Sequence, residues 1–496
     1  MYIVQIASEC APAIKAGGLG DVVYGLSRGL SNQGHNVEII LPKYDCMRYD
    51  QIGEMSEAYQ DLWVPWNNGS IHCTVLYAEI YGQKCFFIES HSNENFFNRN
   101  KIYGDWDDPL RFAFFSKASL EFLLKSGKRP DIIHCHDGQT GLIPVLLYEI
   151  YQHQGMGNQR VCYTIHNFKH QSVALRNVLG AAGLGDHLFT DDRLKDNGRH
   201  DAINFMKGGI VYANHVTTVS PHHAWEARFS SEGYGLGSTL GVHHEKFSGI
   251  LNGIDDKFWN PKVDKYLPTN YGIADFELKA RNKKALRERL WLRDPDKPTP
   301  RPIVAYIGRL DAQKGVDLVL HAIDYALFRS AQFVLLGSPT GNELGRLFGG
   351  KKNHFNNNPD VHLELTFNEE LSHLVYAGAD MMIVPSNYEP CGLTQMISLR
   401  YGTVPIVRGV GGLKNTVFDV DYDESIAPEK RNGYVFYQTD HSALDSALGR
   451  AIDLWYNNPE DFVELAKQGM RYDYSWKDPA QEYVKVYDKI RVPSAI

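Results

Sequence analysis

A chain of 496 residues exceeds one ordinary domain: at about 150 residues per domain, two large units or three smaller ones are expected. Hydrophobic residues at 43% and charged residues at 22%, with 44 Gly and 22 Pro, sit near globular averages, which excludes disorder, collagen and coiled coil as descriptions of the whole chain. The balance of 51 Lys and Arg against 59 Asp and Glu leaves a formal charge of −8, so nothing recruits a polyanion by counterion release and nucleic acid is not expected as a partner.

Cysteines at positions 10, 46, 73, 85, 135, 162 and 391 stand singly, with no C-x-x-C pair. Scattered thiols in an odd number suggest a reduced, cytoplasmic protein. The opening MYIVQIASECAP has no basic segment before its first apolar run. No later run reaches the ~18 apolar residues of a membrane span. No signal peptide, transit peptide or membrane contact is expected.

In chain order, β-branched runs at Tyr2 to Ala7, Val37 to Leu41, Asp131 to His134, Arg160 to Ile165 and His215 to Val219 predict strands. Helical periodicity at Asp21 to Ser31, Pro109 to Lys125 and Thr140 to Tyr151 makes these βαβ units, hence a mostly parallel, doubly wound α/β sheet. Residues 59 to 89 instead predict meandering strands inserted into that sheet. The pattern restarts after Asn260-Pro261: a Pro-rich stretch from Asp294 to Pro302 precedes a strand at Ile303 to Ile307. Further strands are expected at Gln332 to Leu336, Val361 to Leu365, Asp380 to Val384 and Val404 to Val407. Two doubly wound sheets are implied, with a boundary near residue 255. Their carboxyl-end crevices are expected to face a cleft, since open α/β sheets bind ligands there.

The first strand runs into Lys15-Ala-Gly-Gly-Leu-Gly-Asp21 and then a helix. Glycines admitting close backbone approach, followed by helix N–H donors, suit a phosphate. A plain tight turn explains the spacing equally well. Val23 stands where G-x-G-x-x-G requires glycine, and no G-K-[ST] follows, so neither common nucleotide motif is met.

Lys15-Ala-Gly-Gly-Leu19 resembles the Lys-x-Gly-Gly-Leu signature of bacterial glycogen synthases and plant starch synthases. The resemblance continues through His134-Cys-His-Asp137, Tyr163-Thr-Ile-His-Asn167, Leu251-Asn-Gly-Ile-Asp255, Gly308-Arg-Leu-Asp-Ala-Gln-Lys-Gly315 and Glu389-Pro-Cys-Gly-Leu-Thr-Gln395, and covers essentially the whole chain. The stretch Leu41-Pro-Lys-Tyr-Asp-Cys-Met47 is most similar to the starch synthase IV type. The resemblance implies a GT-B fold of two Rossmann-like domains. Residues 1–255 would form the acceptor side, joined by a C-terminal helix at about 476–496, and residues 256–475 the donor side. It implies a retaining glucosyltransferase that extends an α-1,4-glucan (glycogen, starch or malto-oligosaccharides) from ADP-glucose, releasing ADP, with no cofactor.

The residues can also be read for their chemistry. Arg309 and Lys314 follow a predicted strand and would stand at its carboxyl end, where a fork and a compact charge suit a leaving diphosphate; two solvated loop cations are the plainer alternative. Pro390 could start a helix at Cys391-Gly392-Leu393, leaving Glu389 as either a sugar-binding carboxylate or an N-cap. The resemblance assigns Glu389 to the glucose ring and places Cys391 near the sugar; a buried small side chain explains Cys391 as well. His166 and Asn167 end a first-domain strand, and Asp137 follows another. The resemblance sets His166 against the glucose; a structural histidine is the alternative. Phe367 is a candidate to stack on adenine, or a core aromatic. The resemblance further assigns Lys15, Gly17, Gly18, Asp21, Asn167, Gly392, Leu393, Thr394, Gly411 and Gly412 to the donor.

No metal site is expected. His134 and His136, two apart on a strand, are read as facing opposite ways, and Asp294, Asp296, Asp419 and Asp421 as solvated charge, like the polar face of Lys279 to Arg289. Three positions depart from the family pattern: Gly138 stands where a Trp is usual, Val410 replaces a Thr and Asn415 an Asp. Val410 is expected to keep the backbone donors of Gly411 and Gly412. Loss of a Trp should weaken acceptor binding more than donor binding. Retention is expected by same-face departure. The rivals are a glucan-binding scaffold with weak catalysis, and a phosphorylase or sugar-nucleotide epimerase on the same architecture.

Overall fold

The computed structural model describes residues 1–294 and 300–493. The chain divides into two compact units, one from Met1 to Gly253 together with the chain from Trp476 onward, the other from Ile254 to Ser475.

In the first unit the strands are β1 (Tyr2–Ile6), β2 (Asn36–Pro42), β3 (Ser56–Trp66), β4 (Gly69–Ile80), β5 (Gln83–Ser90), β6 (Ile132–His136), β7 (Arg160–Ile165), β8 (Val173–Leu175), β9 (Ala202–Asn204), β10 (His215–Thr218) and β11 (Phe247–Gly249). Nine of them form one sheet in the order β11-β10-β7-β6-β1-β2-β5-β4-β3, while β8 and β9 pair separately. The central strands pair in parallel and are almost wholly buried, which is why they read as continuous apolar runs rather than alternating ones. The inserted meander is antiparallel. Asn67 and Asn68, and then Tyr81 and Gly82, take positive φ between its strands, as two-residue hairpin turns require.

The helix expected over Thr140 to Tyr151 is broken: Asp137–Thr140 and Ile143–Glu149 are separate, with Pro144 in the first turn of the second. Pro lacks the N–H that a continuous helix would need there. The C-terminal helix Lys477–Ile490 returns to the first unit. It buries Ala480, Tyr483 and Tyr487, with Trp476 ahead of it, against Val22, Leu26 and Leu30 of helix Gly18–Asn32. Gly25 permits that approach, since a Cβ there would stand 2.0 Å from Trp476 Nε1.

The second unit has a six-stranded parallel sheet: β12 (Ile303–Ile307), β13 (Gln332–Leu336), β14 (Val361–Glu364), β15 (Met381–Val384), β16 (Val404–Arg408) and β17 (Tyr434–Phe436), in the order β14-β13-β12-β15-β16-β17. This is the 3-2-1-4-5-6 order of a Rossmann sheet, with its crevice between β12 and β15 where the winding reverses.

Helix Lys279–Arg289 forms, but its polar face is not simply solvated. Lys279 is buried, and its ammonium donates to the carbonyls of Tyr376 (3.1 Å), Ala377 (2.9 Å) and Tyr401 (3.1 Å) and to Thr403 Oγ1 (2.9 Å). The ends of two helices leave carbonyls there without intrahelical partners, and Lys279 supplies the donor; burial lowers its pKa to about 7. Asp419 is likewise buried and paired with Arg450 at 2.9 Å, a contact sequence spacing could not show. Asp421 also binds Arg450, at 2.5 Å, and Asp294 meets Arg287 at 3.4 Å. Asp296 lies outside the described residues.

Overpacking the helix contact is expected to cost about 1–3 kcal/mol: Gly25→Ala should unfold at a lower urea concentration than the unsubstituted protein. Gly241→Ala, with open space around its Cβ, should keep its stability within about 0.5 kcal/mol.

Candidate functional site

At the reversal point of the second unit, the loops after β12 and β15 hold Arg309, Asp311, Lys314, Ser386 and Glu389. Asp311 caps the turn Ala312–Lys314 by accepting from the Lys314 amide at 3.1 Å, and its carboxylate lies 3.3 Å from Arg309 Nη1. Lys314 Nζ reaches Glu389 Oε2 at 2.5 Å, and Ser386 Oγ donates to the same oxygen at 2.9 Å. Glu389 is buried, whereas the Arg309 side chain is 56% exposed. One cation is therefore held against a buried carboxylate, and the other stands open to solvent. Asp311 and Ser386 were not singled out by sequence, although Asp311 lies inside the quoted motif.

The helix after Glu389 does not begin at Cys391. It spans Thr394–Arg400, with Leu393 as its N-cap and no side-chain cap, so Glu389 is too far upstream to be that cap. Gly392 takes φ +74°, and Gln395 Nε2 donates to the carbonyls of Cys391 (3.1 Å) and Gly392 (3.0 Å). Gln395 thus shapes the turn in which Cys391 is buried. Beyond β16, Val410 is the N-cap of the short helix Gly411–Thr416. The Gly412 amide donates to the carbonyls of Glu389 (3.2 Å) and Pro390 (3.1 Å). In this structure the Gly412 N–H is thus bonded within the protein. A Cβ at Gly411 would fall 1.9 Å from the Glu389 carbonyl oxygen, so glycine here serves the approach of two backbones. Phe367, after β14, is 80% exposed, which excludes the core-aromatic reading.

In the first unit the reversal lies between β1 and β6. After β1, the Lys15-Ala-Gly-Gly loop is organised by Glu9, a residue absent from the sequence expectations. Glu9 Oε2 accepts from the amides of Ala16 (2.6 Å) and Gly17 (2.9 Å), and its Oε1 from Tyr103 OH (2.6 Å). In this structure the chain's own carboxylate therefore accepts from the amides of Ala16 and Gly17. Gly18 opens the helix, and Lys15 pairs with Asp21 at 2.8 Å, both about a third exposed.

Asp137 follows β6 with φ +56°. Its Oδ1 accepts from the amides of His166 (2.7 Å) and Asn167 (3.3 Å), and its carbonyl accepts from Tyr163 OH (2.9 Å). Asp137 thus ties the end of β6 to that of β7. Burial outweighs the two amide donors and raises its pKa to about 7. Asn167 Oδ1 accepts from the Lys169 amide at 2.9 Å.

His134 and His136 do not face opposite ways. Residues two apart on a pleated strand share a face, and their rings stack with centroids 4.3 Å apart. His136 Nδ1 lies 3.0 Å from His166 Nε2. Burial lowers His134 and His166 to about 3 and drives His136 well below its ordinary value, so all three are neutral at pH 7.

Among the described residues, Asp105, Asp107 and Asp108 could together reach one cation, but Arg99 already pairs with the first two (3.2 and 2.6 Å) and Arg111 with the third (2.8 Å). A cavity of about 790 Å³ elsewhere in the first unit is lined by Tyr148, Glu149, Lys207 and Tyr212 and by none of the residues selected from sequence.

Comparison with known proteins gives full-length matches. A family model for the starch synthase catalytic domain matches residues 2–241, and one for glycosyl transferases group 1 matches residues 288–469. The chain is 66% identical over 493 residues to a probable glycogen synthase 2 of Nostoc sp. (strain PCC 7120), covering 99% of each. Identity is also 66%, over 99% of each chain, to glycogen synthase 1 of Trichormus variabilis. Among solved structures, the catalytic domain of starch synthase IV from Arabidopsis thaliana, bound to ADP and acarbose, is 43% identical, with a TM-score of 0.95 over 98% of this chain and 99% of that one. A sucrose-phosphate synthase from Thermosynechococcus elongatus, 20% identical with a TM-score of 0.58 over 99% of each chain, shares the fold.

Two outcomes are expected. A Cβ at Gly138 would lie 2.7 Å from the His170 carbonyl oxygen and from the Gln171 carbonyl carbon, so restoring the family's Trp is not a local gain of acceptor surface: Gly138→Ala should already lower the melting temperature, and Gly138→Trp should do so further. Because the folded pKa of Asp137 is raised to about 7 from about 4 in the unfolded chain, its contribution to stability is full below pH 4 and lost as pH rises toward 7. Asp137→Asn, which keeps an acceptor oxygen, should flatten the urea-unfolding free energy across that window.

Proposed function

The chain belongs to the glycogen and starch synthase family of glycosyltransferases, and on that premise we propose that it transfers glucose from ADP-glucose to the non-reducing end of an α-1,4-glucan with retention of configuration. Its fold is GT-B, and it is a glycosyltransferase with glycogen or starch synthase function. The observation that carries the finer reading is the Lys314–Glu389 pair at the reversal point of the second sheet, 2.5 Å apart, with Arg309 exposed nearby in sequence.

In the reaction the bond from the anomeric carbon to the diphosphate breaks and a bond to the acceptor hydroxyl oxygen forms on the same face; the hydroxyl proton passes to the leaving phosphate. Negative charge grows on the diphosphate, and preorganised cations stabilise it without a reorganisation cost. Lys314 is preorganised by Glu389 and Ser386, and Arg309 supplies a planar fork. Glu389 is assigned to the glucose ring, as are Cys391 and the turn through Thr394. His166, Asn167 and Asp137 are assigned to the sugar from the first unit, with Lys15, Gly18 and Asp21. Phe367 is assigned to the adenine, a reading its exposure supports. The Arabidopsis structure, bound to ADP, supports ADP as the product released. With two cations serving the diphosphate, the proposed reaction needs no metal ion.

The test is ADP release with and without glucan. ADP-glucose should give a higher kcat/KM than UDP-glucose, and EDTA should leave the rate unchanged. Lys314→Ala should lower kcat by about 10² to 10³, the usual loss for a preorganised charge stabiliser, with little change in glucan affinity. Equal use of UDP-glucose would refute the donor assignment, and a Lys314→Ala rate within threefold of the unsubstituted enzyme would remove Lys314 from the chemistry.

A further inference from the structure

We propose that His136 and Gln5 are positioning residues that hold His166 as the Nε2–H tautomer, so that its Nδ1 accepts a hydrogen bond from a hydroxyl of the transferred sugar. The argument is one of donors and acceptors. Gln5, on β1, places Oε1 2.7 Å from His136 Nε2. A carboxamide oxygen only accepts, so with the Gln5 amide in this orientation, which leaves its buried Nε2 without a hydrogen-bond partner, His136 Nε2 carries the proton. A neutral imidazole has one N–H, which leaves His136 Nδ1 as a lone pair. The partner of that lone pair at 3.0 Å is His166 Nε2, which must then be the donor. His166 is left with an unprotonated Nδ1 that meets no partner among the described residues.

The frame around this chain of bonds is closely packed. The ring of His136 is stacked on that of His134, which is itself held by Tyr487 OH at 2.7 Å and Thr164 Oγ1 at 2.6 Å. His136 and Gln5 are fully buried. Burial keeps the three imidazoles uncharged at pH 7, so none of them escapes the count by carrying a second proton. The backbone of His166 is fixed separately, by its amide bond to Asp137 at 2.7 Å. The ring is thus set by one strand neighbour and the main chain by another residue. An acceptor at Nδ1 can take a sugar hydroxyl as donor but cannot serve a phosphate oxygen, which only accepts. The assignment deepens the proposed function and rests on its placement of His166 at the sugar.

Histidine labelled with ¹⁵N reads the tautomer directly, in the protein without substrate, with His166→Asn identifying the signal. The expected result is a protonated Nε2 and an unprotonated Nδ1 on His166. His136→Leu should abolish that preference and lower kcat/KM for the donor about tenfold or more, as loss of an oriented buried hydrogen bond does. His136→Asn keeps an acceptor oxygen near the former Nδ1 and should restore both the tautomer and most of the activity. If His136→Leu fails to fold, Gln5→Leu replaces it, since removing the acceptor frees His136 to take either tautomer. A His166 protonated at Nδ1, which the opposite orientation of the Gln5 carboxamide would produce, overturns the proposal whatever the substrate. The expected tautomer with kcat/KM unmoved by His136→Leu overturns the sugar contact, while ADP release by the unsubstituted protein still decides the glucosyl-transfer reading.

Discussion

The reversal of winding in each parallel sheet is the constraint on which the rest of the chemistry depends. Where neighbouring strands send their connections to opposite faces, the loops beyond their carboxyl ends part and cannot be covered by either crossover. Polar side chains in those loops are close together, and some of them, such as Glu389, are buried. At β12 and β15 this sets Lys314 against Glu389 at 2.5 Å. A half-buried cation and a buried carboxylate each need the other, because removing one partner leaves an uncompensated charge costing about 3–5 kcal/mol. The pair therefore ties two loops from different strands. The Gly412 amide, donating to the carbonyl of Glu389 at 3.2 Å, ties in a third.

The first unit meets the same constraint with neutral groups. Its reversal between β1 and β6 is packed with Gln5, His134, His136 and Thr164, all buried and hydrogen-bonded. Neutral imidazoles avoid the desolvation cost of a charge and still provide direction, since each ring has one donor and one acceptor. The amides of Ala16 and Gly17 in the glycine loop are satisfied by Glu9. The cost is borne by tight glycine positions: Gly138 lies where any Cβ meets the backbone of residues 170 and 171.

Much of this was legible in the chain. The strand runs, the meander and the restart after Asn260-Pro261 follow from periodicity, because a parallel sheet buried on both faces demands continuous apolar segments. Arg309, Lys314, Glu389, Asp137 and His166 stand out because they are polar residues that follow such runs. What was misread depended on geometry. His134 and His136 share a face because the pleat repeats every two residues. The helix after Glu389 begins late because Gln395, four residues beyond Cys391, turns the intervening backbone. Lys279 sits in a run of surface-like composition, yet it is buried because the carbonyls that need it come from residues 376, 377 and 401.

The sequence by itself determined the fold class, the family and the set of charged and polar residues at strand ends, since apolar periodicity and contiguous motifs are local properties. Only the tertiary structure decided what each of those residues is bonded to: Lys314 to Glu389, Glu9 to the glycine loop, Asp137 to the amides of His166 and Asn167, His136 to Gln5 and His166. These partners lie from 7 to 131 positions apart in the chain. They are brought together by strand order, and strand order is set by the packing of whole elements and not by any short stretch of residues.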